Sequence, residues 1–173
     1  MGKLCRVVRA GRPATRRSAP VRHNQTVQTA SQDIVRYLEH GFECWSRHAI
    51  DEMMAMYTPD AEVDLTKFLP DENVLRGKDQ IGEYYNRMWD TWSDFSWQPC
   101  EVVDLGDDRY GKLVRIDAEG RGSGATAASE VTVFYTLAAG LSARAEFEPG
   151  RSPQLQGSGL CETGWRSPVA KRS

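Results

Sequence analysis

The feature that most limits what this chain can fold into is a switch of period at Asp94. Before it, Ile81, Tyr84, Tyr85, Met88, Trp89 and Trp92 recur at intervals of three and four. One helix therefore carries a broad, largely aromatic stripe, which demands an equally large apolar surface to cover it. After it, Phe95, Trp97 and Pro99 alternate with Ser96, Gln98 and Cys100, and the run continues to Val103. That is the period of two of a strand with distinct faces.

Two further helical stripes lie upstream. Thr29 followed by Gln32 fits a capping box, after which Ile34, Leu38, Phe42 and Trp45 fall on one face. A break over Ser46 to Ala49 precedes a second helix from Ile50, in which Ile50, Met53, Met54 and Tyr57 share a side. Thr58-Pro59-Asp60 is expected to end it, since proline cannot continue a helix, and Ala61 to Leu65 reads as a short strand. Downstream, turn residues Asp104 to Asp108 lead into strands over Tyr110–Glu119, Ala127–Leu137 and Leu141–Glu148. Gly120 to Gly124 and Ala138-Ala139-Gly140 break these strands apart. Three helices with one early strand, then a meander of long strands, define an α+β protein with its helices on one face of the sheet.

The formal net charge of −2 over 173 residues conceals an uneven distribution. Met1 to Gln32 holds seven basic residues and no acidic one, Asp33 to Glu148 holds 23 acidic and 11 basic, and Pro149 to Ser173 holds four basic and one acidic. We expect a basic N-terminal extension over residues 1–28, a folded domain over 29–149 and a basic, mostly irregular tail over 150–173. The extension lacks an apolar segment after Arg16-Arg17, which argues against a secretory or twin-arginine signal. A disordered extension, a start codon placed too far upstream and, in a eukaryote, a mitochondrial transit peptide remain open. No apolar run approaches the roughly 18 residues of a membrane span. The acidic core opposes nucleic-acid binding, because it repels phosphates. Cys5, Cys44, Cys100 and Cys161 form no C-x-x-C pair, so neither a disulfide framework nor a zinc site is expected and a reducing cytoplasm is the default.

Several segments carry a family resemblance: Trp45-Ser46-Arg47 followed by Ile50-Asp51; Met56-Tyr57-Thr58-Pro59-Asp60-Ala61-Glu62-Val63; Leu75-Arg76-Gly77-Lys78 with Ile81; Arg121-Gly122-Ser123-Gly124; and Ala143-Arg144-Ala145-Glu146-Phe147-Glu148-Pro149. Each is weak alone, but in order and spacing, from near Ser31 to Pro149, the chain resembles the SnoaL-like branch of the NTF2-like superfamily. The resemblance implies a cone-shaped fold, a strongly curved mixed sheet wrapped round a pocket and closed by the helices. It also implies a homodimer formed through the open sheet face. Members include polyketide cyclases, ketosteroid isomerases, epoxide hydrolases and dehydratases, and also non-catalytic binding or dimerisation modules. Membership therefore leaves activity open.

In such a cone, polar side chains facing inward would carry the chemistry. Arg115 and Asp117 are two apart and share one face of their strand. If that face is inward, Arg115 is the counter-charge that a buried Asp117 requires; if outward, the pair is a solvated surface feature. The Arg-x-Asp pattern is similar to that of the limonene-epoxide-hydrolase branch, which implies Glu146 as the second carboxylate, Asp117 as acid and Glu146 as base. Trp45, Leu65, Tyr85, Trp89, Trp97 and Phe134 are expected to line the pocket. Ketosteroid-isomerase chemistry is not expected: its base position falls on Leu65, with Asp64 out of phase, and its oxyanion positions fall on Gly41 and Val133.

Other candidates are weaker. His40 and Cys44 lie one helical turn apart, but two ligands are too few for a metal site. His48 reads as a turn residue, Asp60-x-Glu62-x-Asp64 as a strand edge, and Gly120 to Gly124 as a loop rather than a phosphate cradle. The expectation is a cavity for a hydrophobic polyketide-, terpene- or steroid-like molecule, with no cofactor and no metal. It is either an acid/base enzyme or a non-catalytic binding or dimerisation module.

Overall fold

The computed structural model describes residues 28–69 and 71–155. The chain runs through β1 (Gln28–Thr29), α1 (Gln32–Ser46), α2 (Ile50–Ala55), β2 (Tyr57–Asp64), β3 (Val74–Arg76), α3 (Gly77–Thr91), β4 (Trp92–Gly106), β5 (Arg109–Gly120), β6 (Thr126–Ala138) and β7 (Leu141–Pro149). A single 3-10 turn follows at Pro153–Leu155. The strands form one sheet in the order β1-β4-β5-β6-β7-β2-β3, antiparallel except for the parallel β2–β7 pair. Its two end strands do not pair, so the sheet curves without closing. The α+β architecture, with a curved mixed sheet and three helices, is the one expected from the sequence.

Local chemistry explains the boundaries. Ser31, rather than Thr29, caps α1, its Oγ accepting from the Ile34 N–H, while Thr29 is drawn into β1 opposite Val103. α2 stops at Ala55, three residues before the expected Thr58-Pro59-Asp60 breaker. Those three residues lie in β2, where the register with β7 is irregular between Tyr57 and Glu62, and there proline deprives the ladder of no needed donor. Tyr57 consequently begins a strand instead of completing a helical face. The β6–β7 hairpin turns at Ala139 and Gly140, both at positive φ, as a two-residue turn matched to strand twist requires. β4 shifts register against β5 between Trp92 and Asp94, between Pro99 and Val102, and between Asp104 and Gly106, and such irregularities bend a strand.

Strand parity divides the core. The concave side gathers Val63, Val114, Ile116, Val131, Val133, Ala145 and Phe147 against Cys44 and Trp45 of α1, Met53 of α2 and Ile81, Tyr84, Tyr85 and Trp89 of α3. A second cluster packs Ile34 and Leu38 of α1 on Ala30, Val102, Tyr110 and Leu137. On the convex side, Val103, Leu113 and Phe134 meet Leu155, which is 1% exposed. Residues 150–155, assigned to an irregular tail from composition, thus fold back over the sheet. The Gly150 N–H donates to the Glu130 carbonyl, the Thr132 hydroxyl to the Gly150 carbonyl, and the Ser152 N–H to Thr132 Oγ1. Gly111 makes room for this segment: a Cβ there would lie 2.6 Å from Leu155 Cδ2. Of the composition-based extension, Gln28 belongs to β1, and residues 1–27 and 156–173 fall outside the described residues.

Candidate functional site

Between the concave face and the helices lies a cavity of about 450 Å³, within the range of small-molecule pockets. Trp45 of α1 is the hub of its wall. Its ring centroid is 5.2 Å from Tyr85 and 5.6 Å from Trp97, both edge-on, and 5.3 Å from Phe95. Leu38, Met53, Leu65, Phe68 and Phe147 are among the other apolar residues of the lining. Such a surface favours a flat hydrophobic ligand, since ring faces and edges together stabilise stacked or edge-on aromatics.

The polar groups of the lining are mostly hydrogen-bond donors. The hydroxyls of Tyr57 and Tyr85 are 3.0 Å apart. Burial pushes the Tyr57 phenol up to about 12 and holds Tyr85 well above the ordinary tyrosine value, the neighbouring Tyr57 adding to the effect. Burial likewise raises Tyr135 far out of the ordinary range, and Tyr84, with Glu72 beside it, up to about 12. All four phenols therefore keep their protons at neutral pH. The Tyr57–Tyr85 bond consumes one of two phenolic protons and leaves the other to donate. The indole Nε1 atoms of Trp92 and Trp97, which also line the cavity, are buried without a partner. Unpaired buried donors cost stability unless something accepts from them. Among the described lining residues, Glu72 is the single carboxylate.

The expected catalytic trio is not in this cavity. On β5, Ile116 and Ala118 take the concave side, so Arg115 and Asp117 project from the convex one. Arg115 Nε donates to Glu130 Oε1 at 2.9 Å across the β5–β6 pair. Glu146 stands opposite Phe134, which stands opposite Gly111, four positions along β5 from Arg115. Its neighbour is Arg144, which also contacts Glu62 and Asp64. The trio thus fails as a constellation: strand parity turns it away from the cavity, and register separates Glu146 from the other two.

Of the six expected pocket residues, Trp45, Leu65, Tyr85 and Trp97 line the cavity. Trp89 packs behind Trp45 at 5.1 Å without joining the lining, and stacks on His48 at 4.6 Å. Phe134 is corrected to the convex cluster, because Val133 and Tyr135 occupy the concave positions on either side of it. Tyr57 and Tyr135 are polar lining residues that the sequence does not single out, as are Glu72, Thr91, Ser129 and Ser142. Tyr57 was assigned to a helix that ends before it, and Tyr135 was recognisable only by its parity with Val131 and Val133. Leu65 and Gly41 do line the cavity, and neither side chain can act as a base or a donor. No metal-ligand cluster occurs among the described lining residues; the group formed by His40, Cys44 and Glu52 lies outside the lining.

The SnoaL-like domain family model matches residues 38–145. No curated protein matches the sequence. Among solved structures, the chain is similar to an NTF2-like protein of unknown function from Burkholderia pseudomallei K96243, with TM-score 0.60 and 13% identity over 69% of this chain and 92% of that one. It is similar to a Mycobacterium tuberculosis protein in complex with estradiol-17β-hemisuccinate, with TM-score 0.56 and 16% identity over 65% and 90%. A third is the epoxide hydrolase/cyclase-like enzyme SalBIII, whose role is in pyran ring formation in the polyether salinomycin, with TM-score 0.58 and 14% identity over 69% and 92%. At these identities the likeness establishes the fold.

Proposed function

The chain belongs to the SnoaL-like domain family, and from that premise we propose that its cavity binds a flat, hydrophobic small molecule bearing at least one acceptor oxygen. The observation that carries this reading is the pairing, in one cavity, of an aromatic wall with surplus donors: one phenolic proton of the Tyr57–Tyr85 pair and the indole N–H groups of Trp92 and Trp97. A carbonyl or ether oxygen accepting from these groups satisfies them, while the ligand's rings fill the space around Trp45. The steroid ester bound by the mycobacterial neighbour is a ligand of this description, and the polyether in whose pyran ring formation SalBIII has its role carries acceptor oxygens.

Donors aimed at a carbonyl also polarise it, which is the electrophilic half of cyclase or isomerase chemistry. The proton-accepting half has one candidate in the lining, Glu72, because Asp117 and Glu146 face away. Acid/base catalysis in this chain is therefore proposed through Glu72 and the phenols, and pure ligand binding is the reading in which Glu72 plays no part. Self-association through the convex face, which the family resemblance implies, would use its margin around Arg144, Glu62 and Glu146, because residues 150–155 cover Phe134 and Leu113.

Titration with 9-fluorenone, a flat tricyclic ketone, tests the reading. Four of the five tryptophans lie in or against the lining, so occupancy is expected to quench their emission saturably with one site per chain. An unchanged emission up to the ketone's solubility limit would overturn it.

A further inference from the structure

Outside the cavity, α1 and α2 bring together three side chains whose donor atoms suit a metal ion. His40 and Cys44 are one turn apart on α1 and share a face. The break after α1 supplies the third. His48 adopts a positive φ, the Ala49 N–H donates to the Cys44 carbonyl, and α2 is turned back so that Glu52 meets Cys44. Cys44 Sγ lies 3.5 Å from His40 Nε2 and 4.0 Å from Glu52 Oε2, and the three ligand atoms fall within 4.8 Å of one another. A tetrahedral zinc ion, with bonds of about 2.0–2.3 Å, holds its ligand atoms about 3.3–3.7 Å apart. Among the three ligands, Glu52, half-exposed and paired with Arg47, must change rotamer to complete the set.

We propose that His40 Nε2, Cys44 Sγ and Glu52 form a Zn²⁺ site that clips α1 to α2, with water in the fourth position. The donor set selects the ion: a thiolate and an imidazole favour a borderline-soft metal such as zinc over Mg²⁺ or Ca²⁺, which take oxygen ligands. The ring is also oriented for the task, because His40 Nδ1 lies 3.6 Å from the Glu43 Oε2 carboxylate oxygen, which leaves Nε2 facing Cys44 Sγ. Access is open on one side, since His40 and Glu52 side chains are 46% and 53% exposed while the sulfur comes from the core. Binding releases the thiol proton to solvent, and thiolate and carboxylate together neutralise the dication. Arg47, whose Nη2 now lies 3.0 Å from Glu52 Oε2 and 3.9 Å from Cys44 Sγ, swings aside toward solvent when the ion enters. The ion joins the residues next to Trp45 and Met53, and so stiffens one side of the cavity, whatever the cavity binds.

Co²⁺ serves as the spectroscopic probe on the full chain, reduced and free of any affinity tag. The expected result is a thiolate-to-cobalt charge-transfer band that saturates at one equivalent and is abolished by one equivalent of Zn²⁺. His40→Gln and Glu52→Gln, at exposed positions, are expected to weaken binding by at least about tenfold. Both should keep the wild-type melting temperature without metal, while Zn²⁺ raises the melting temperature of the wild type alone. Absence of the band would overturn the proposal. So would a band of unchanged affinity in His40→Gln, which would place the metal on the chain's other thiols.

Discussion

Tyr57 and Tyr85 meet hydroxyl to hydroxyl at 3.0 Å in the cavity wall, one at the start of β2 and the other in the middle of α3. Each hydroxyl carries one proton and their bond uses one, so the pair behaves as a single donor that either residue can supply. Replacing one tyrosine by phenylalanine frees the other's proton and leaves a donor in the cavity. Only the double change removes it, and removal of both partners leaves no orphan behind.

The carboxylates of the convex face provide a control. Asp117→Asn and Glu146→Gln are expected to change 9-fluorenone affinity by less than about twofold, since both side chains project from the face of the sheet opposite the lining. Fluorescence titration of the two variants checks this. A tenfold loss in either would restore these residues to the site.

The folded-back segment should be measurable as a packing pair. Leu155→Ala removes a fully buried side chain and is expected to cost about 2–4 kcal/mol. Gly111→Ala places a methyl group against Leu155 and is expected to cost about 1–3 kcal/mol. In the Leu155→Ala background that methyl enters vacated space, so the double variant should be more stable than the sum of the two losses, by about 1 kcal/mol or more. Urea denaturation of the four proteins gives the coupling, and strict additivity would deny the contact.

Alkaline pH should loosen the fold through the same phenols. Burial raises Tyr57 to about 12 and Tyr85 well above its ordinary value, so the unfolded chain releases these protons first. The contribution is complete below about pH 10 and is lost as pH rises from 10 through 12. Urea midpoints should fall steeply over that window, and less steeply in the variant carrying phenylalanine at both positions.

Much of the fold was legible because it rests on periodicity. The α3 stripe, the alternation from Phe95 to Gln98 in β4 and that of β7 all reflect one face buried and the other not, although helix gives way to strand at Trp92 rather than at Asp94. The chemistry was less legible because it depends on which face of a strand turns inward. On β5 both faces are largely buried, the convex one partly by residues 150–155, so Arg115 and Asp117 carried no sign of their side. Tyr57 was misplaced because a helical stripe continues through it, although the backbone has already become a strand. Glu52 could not be joined to His40 and Cys44 without the turn at His48.

The central claim is that surplus donors on an aromatic wall select an oxygen-bearing ring system. Paired titrations of the wild type and the Tyr57→Phe/Tyr85→Phe protein test it, using 9-fluorenone and fluorene, which share rings and differ in the carbonyl. The ketone's affinity should fall about tenfold in the double variant, as the loss of about 1.4 kcal/mol from one hydrogen bond requires, while fluorene's stays unchanged. Equal losses for both ligands, or none for the ketone, would contradict the account.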